Sequence, residues 1–171
     1  MAMIDSLIAE FHHEAQTTRK HLERLRDDTL AWRPHEKSFT TGELASHIVD
    51  CIRWADAIFN SDELDMNPST YKFFRATSVA DLLKNFDDDA EKCATLLSGA
   101  DDTALMQPWQ FKVMGRSFFE KPRAAVFRDF ILSHVIHHRG QLSVYLRLLN
   151  IPVPGSYGPS ADEIENAKPK S

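Results

Sequence analysis

A helix bounded by prolines near the end of the chain constrains the fold more than any other stretch. Lys121-Pro122 can open it, because proline suits a helical first turn. Pro152 and Pro154 forbid its continuation beyond about Leu149. Inside it lies Ser133-His134-Val135-Ile136-His137-His138-Arg139-Gly140-Gln141. Residues four apart on a helix lie about 40° from each other around the axis, so His134 and His138 share a face. With His134 as origin and about 100° per residue, Phe127, Phe130, Ile131, Gln141, Tyr145, Leu148 and Leu149 fall within about 60° of it. His138 falls inside this apolar stripe, His137 on its edge and Arg139 on the opposite, wetter side. Imidazoles that face an interior need partners for both ring nitrogens. Either the pair bonds to carboxylates or carbonyls in a core, or it shares a metal ion, which the i,i+4 spacing suits. A third ligand decides between them.

Candidates for that ligand lie in the rest of the chain. Leu7, Phe11, Ala15, Thr18, Leu22 and Leu25 recur at helical spacing from Ile4 to about Arg26. His12, His13 and His21 on this segment are expected at surface or edge positions. Asp27 to Thr40 is a connection broken by Pro34, with His35 solvated and Trp32 packing over a helix end. A second helix runs from Thr41 to about Phe59, capped by Thr40 or Thr41. Its inward face carries Leu44, His47, Cys51, Trp54, Ala55 and Ile58, which places His47 mid-helix on an apolar stripe, as His134 and His138 are. Cys51, one turn on, is either a thiolate ligand or a small buried core residue. Ser61 to Thr77 reads as a loop packing through Tyr71, Phe73 and Phe74. Thr77-Ser78 cap a third helix, Val79 to Leu97, whose Asp87-Asp88-Asp89 run forms a solvated face. Residues 109–114 alternate enough for a short extended piece, with a turn at Met114-Gly115-Arg116-Ser117. The last ten residues are polar and expected to fray.

Four long amphipathic helices around one core predict an all-α four-helix bundle forming a single domain over 1–171. The 171 residues, 43% hydrophobic with only 6 glycines, agree with one mostly helical domain. A formal charge of −5 without a Lys/Arg block argues against nucleic acid. The absence of an 18-residue apolar run or a signal-like start argues against a membrane and for a cytoplasmic protein. Cys51 and Cys93 supply no disulfide framework.

His47, His134 and His138 can therefore make a three-imidazole site if their helices are neighbours. Three protein ligands leave a coordination position for water or substrate. An ion so held can lower the pKa of bound water or deprotonate a substrate thiol. Zinc, nickel and ferrous iron all suit imidazole. Asp50, Gln141 and Tyr145 are candidates to orient the ligands or donate a proton, with a purely structural role open for each.

The His-x-x-His-His-Arg-Gly-Gln run at residues 134–141, the segment Gly42-Glu43-Leu44-Ala45-Ser46-His47 and the ending Ile151-Pro152-Val153-Pro154-Gly155-Ser156-Tyr157-Gly158-Pro159 resemble the DinB/YfiT-like family. The resemblance implies an up-down-down-up bundle, often a homodimer, with one divalent metal on three histidines. It assigns that role to His47, His134 and His138. Characterised relatives include S-transferases and isomerases that use low-molecular-weight thiols such as bacillithiol or mycothiol. The expectation is thus a metal-dependent transferase that activates a small thiol against an electrophilic substrate. The alternatives are a metal-dependent hydrolase and a non-catalytic helical dimer with a structural or vestigial metal.

Overall fold

The caps expected from the sequence start two of the long helices. Thr40 and Glu43 form a reciprocal capping box at α2 (Thr41–Asn60), and the Ser78 hydroxyl accepts from the Asp81 N–H at α3 (Val79–Ser98). The computed structural model describes residues 2–168. In it α1 (Met3–Leu22) has no cap of its own. The Met3 and Ile4 N–H groups instead donate to the Asp102 carboxylate, at 3.0 and 2.9 Å, on the short α4 (Asp102–Met106). The last helical run comprises α5 (Arg123–Phe127), a π-helical segment (Arg128–Ser133) and α6 (His134–Leu148). It ends in a Schellman motif: Asn150 sits at φ 55°, Asn150 N–H donates to Arg147 and Ile151 N–H to Leu146.

Both α3 and α6 pack against α1 and α2, so the four long helices close around a common interior. Leu7, Leu44, Ile48, Ile52, Leu82, Leu97, Leu142 and Leu146 are buried there. Each such side chain contributes about 1.5–3 kcal/mol through the area it removes from water. No helix among the described residues is long and apolar enough to cross a membrane.

The expectation of an all-α chain is corrected by a small sheet. It has three strands in the order β1 (Glu63–Met66), β2 (Pro108–Val113), β3 (Arg116–Pro122). β1 pairs parallel with β2, and β2 antiparallel with β3. The β2–β3 turn is Met114-Gly115, both at positive φ (51° and 77°), as a two-residue type I′ hairpin demands. β1 was read as loop because four residues are too short to show a period, and its partner lies far away in sequence. Pro122 closes β3 and precedes α5, so the final helix starts one residue later than read. The sheet turns Phe111 and Phe119 onto Trp54 and Phe130, and Trp54 stacks on Phe130 at 5.0 Å. Buried Trp109 donates from its indole N–H to the Ala57 carbonyl at 3.0 Å. This aromatic plug ends at the π segment, four residues before His134.

Four further expectations differ from what is observed. Arg139, placed on the wet side, is 1% exposed, because α1 covers that side of α6 as α2 covers the other. Its guanidinium meets the Glu14 carboxylate at 2.6 Å, the Thr18 hydroxyl at 3.3 Å and the Tyr157 hydroxyl at 2.9 Å. A buried face held by an ion pair is invisible to an apolar count. Leu148, placed inward, is the last residue of α6 and is exposed. The π segment that precedes α6 advances less per residue than an α-helix. His21, expected at the surface, is fully buried, with Nδ1 2.9 Å from the Thr17 carbonyl and Nε2 without a partner among the described residues. His12, His13 and His35 are exposed as read. The tail expected to fray is, over Ala161–Asn166, a capped helix (α7). Asp162 pairs with Arg147 and Glu163 accepts from the Gly155 N–H, which secures it. Residues 169–171 lie outside the described residues.

Candidate metal centre

α2 and α6 are packed neighbours, and each turns imidazole toward the other. The His47 ring lies 5.1 Å from that of His134 and 4.7 Å from that of His138, centroid to centroid. His134 and His138 are 4.7 Å apart, one α6 turn from each other. The structure thus brings together the three histidines singled out from the sequence. None of their hydrogen bonds among the described residues joins one of these rings to another, and none engages His47.

All three rings are held neutral. Burial lowers the His47 pKa to about 4, helped by the fields of His138, His134 and Arg75. Burial likewise lowers His134, against a backbone hydrogen bond at Phe130, and His138, against its bond to Gln141. Neutral imidazole is the form that donates a lone pair to a metal. A cluster of three aromatic bases without acid partners would be a poor core, whereas it is a good donor set for zinc, nickel or ferrous iron.

Two donor sets are available. Ring positions join His138 to the other two histidines. Donor-atom distances join Cys51 instead, since His47, Cys51 and His134 offer atoms all within 4.8 Å of one another. Burial, with the nearby Asp50 charge, pushes the Cys51 thiol up to about 12. Without a metal it is a protonated, buried side chain, as the core reading has it.

The three supporting candidates divide. The Gln141 amide oxygen lies 2.8 Å from His138 Nδ1, and its amide nitrogen lies 3.1 Å from His137 Nε2. With the Gln141 oxygen accepting, Nδ1 of His138 carries the proton and Nε2 keeps its lone pair. Tyr145 is buried with its hydroxyl on the Phe39 carbonyl at 3.2 Å, and its ring meets Trp32 edge-on. It therefore braces the loop whose Phe39 ring lies 5.8 Å from His47, and does not touch the histidines' nitrogens. Asp50, read as an acceptor from a ligand ring, is corrected: both its oxygens accept the Phe74 N–H at 3.1 Å.

The segment that Asp50 holds was read from the sequence as a packing loop, and its place beside the histidines was missed. Beside His47 opens a cavity of about 180 Å³ lined by Phe39, Glu43, His47, Phe73 and Arg75. Phe73 and Arg75 come from the 61–77 connection. Only long-range hydrogen bonds bring it there, and no local periodicity signals them.

Comparison with known proteins agrees with this architecture. A family model described as the DinB superfamily matches residues 10–142. The uncharacterized protein YrdA of Bacillus subtilis (strain 168) is 26% identical over 161 residues, covering 94% of this chain and 91% of that protein. A crystal structure of a DinB-like protein from Bacillus cereus ATCC 10987 superposes with a TM-score of 0.73 at 24% identity, covering 90% of this chain and 97% of the other. A second DinB-like protein, YjoA from Bacillus subtilis, gives a TM-score of 0.68 at 22% identity, covering 88% and 96%.

Proposed function

From the premise that this chain belongs to the DinB superfamily, we propose that it binds one divalent metal ion through His47, His134 and His138 and serves as a metal-dependent transferase for a small thiol. The observation that carries this reading is the convergence of three neutral imidazoles from two helices beside a cavity. A divalent ion bound there supplies a Lewis acid that favours the deprotonated form of a thiol at neutral pH. Gln141 fixes the tautomer of His138, so that Nε2 keeps its lone pair for the ion. Phe39 and Phe73 line the cavity, where an electrophilic small molecule would meet the thiol. In the same reading the ring of helices is an up-down-down-up four-helix bundle. Val144 and Leu148, exposed one turn apart on α6, support a homodimer, which light scattering of the purified chain tests.

Elemental analysis of freshly purified protein is expected to find about one zinc, nickel or iron per chain, lost in His47→Ala and His134→Ala. Turnover of a panel of electrophiles is expected to require an added thiol. Thiol-independent turnover would replace the transferase with a hydrolase, and protein that neither carries nor takes up metal would end both.

The position of Cys51 favours one second reading. If its sulfur joins the three imidazoles, the ion has four protein ligands and the site is structural. Cobalt substitution separates the cases. A thiolate-to-metal charge-transfer band that disappears in Cys51→Ala means a closed site, and no such band means an open one.

A further inference from the structure

Resting on the metal-site reading above, we infer that Arg75 is the anion-recognition residue of the same site, and that the small molecule taken there carries a carboxylate or phosphate group. Ser46 and Asp50 flank His47 on α2 and are 1% and 2% exposed. Buried polar groups need partners, and theirs lie outside the helix. Asp50 accepts the Phe74 N–H, and the Ser46 hydroxyl accepts the Ala76 N–H at 3.0 Å. The residues on either side of Arg75 are thereby pinned to the helix that carries His47. The pinning sets the Arg75 side chain on the cavity that the His47 ring also lines.

The guanidinium is open to a ligand. Its Nη1 donates to the Phe74 carbonyl at 2.9 Å, and no carboxylate among the described residues forms an ion pair with it. The carboxylate that shares the cavity, Glu43, is already committed. It accepts the Thr40 N–H at 2.7 Å as part of the helix cap and lies 3.9 Å from Arg33. Arginine has five N–H donors in a fork that matches the two oxygens of a carboxylate or phosphate. A cavity of about 180 Å³ admits one small molecule or the end of a longer one.

The test is an amide-resolved NMR titration of the full chain, metal-free and zinc-loaded, with acetate, inorganic phosphate, 3-mercaptopropionate and uncharged 2-mercaptoethanol as probes. Saturable shifts at residues 74–76 with acetate or phosphate in the metal-free chain are expected, and which of the two binds tighter identifies the anion. Zinc loading is expected to favour 3-mercaptopropionate over 2-mercaptoethanol by roughly fivefold to tenfold, the range of a partly exposed charged contact. That preference should vanish in Arg75→Met and survive in part in Arg75→Lys. Arg75 is exposed, so neither variant threatens folding. Anion-insensitive amides at 74–76, or equal discrimination by wild type and Arg75→Met, overturns the assignment of Arg75. It does so even where zinc and thiol still bind and the metal-site reading stands. Failure to take up zinc with anion binding intact overturns only the metal-site reading.

Discussion

Replacing Arg139 by methionine should be among the most damaging single changes available to this chain. The guanidinium is 1% exposed, and its partner Glu14 is 6% exposed. Methionine roughly fills the volume but leaves the Glu14 carboxylate inside the protein, with only the Tyr157 hydroxyl donating to it at 3.0 Å. Breaking a buried pair by removing one partner costs about 3–5 kcal/mol, because the remaining charge is uncompensated. For a chain of this size about 1 kcal/mol corresponds to about 2–4 °C in Tm, so a fall of about 6–20 °C is expected. Removing both charges is a different matter. In Glu14→Leu/Arg139→Met no ion is left stranded, and stability should recover to within about 1–2 kcal/mol of wild type. Urea unfolding of the four proteins of the cycle at pH 7.5, compared at constant m, gives the coupling energy directly. An Arg139→Met loss below about 1 kcal/mol, or a double variant no more stable than the worse single one, would refute the reasoning.

Other consequences are as direct. Stability of the metal-free chain should fall as pH drops from about 6.5 toward 4, since His47, lowered to about 4, stays neutral in the folded state while its unfolded form takes up a proton. His47 alone contributes about 2–3 kcal/mol of that loss after allowance for partial exposure, and His47→Gln should flatten the urea-derived profile across this window. Gln141→Leu removes the oxygen that holds His138 and should weaken zinc binding about 10–100-fold in a competition titration, with little change in unfolding free energy. Met114 holds φ 51° in the hairpin with its side chain exposed, so Met114→Asn should raise stability by about 0.5–1 kcal/mol, read as a small rise in Tm.

The histidines were legible because each depends only on helical phase within one element. His134 and His138 are one α-helical turn apart, and His47 sits in the middle of a strongly apolar helix, so spacing alone brought the three into consideration. What escaped reading was non-local. β1 gains its definition from β2, and Asp50 and Ser46 show their role only through Phe74 and Ala76, more than twenty residues away. Arg139 and His21 were misplaced because charge and ring nitrogens were taken as marks of solvent. Arg139 is buried by the carboxylate that neutralises it, and His21 by a carbonyl on its own helix. The final helix was read as one continuous α-helix, because the π segment leaves no compositional trace.

That segment gives the last helix a built-in phase offset. Straightening all six residues from Arg128 to Ser133 into an unbroken α-helix would give a locally easier conformation. The two halves would then be rotated against each other by roughly 100°. Either Phe130 would leave the aromatic stack, or His134 and His138 would swing away from His47. The wide turn thus lets a single rod serve two clients whose demands on its orientation differ.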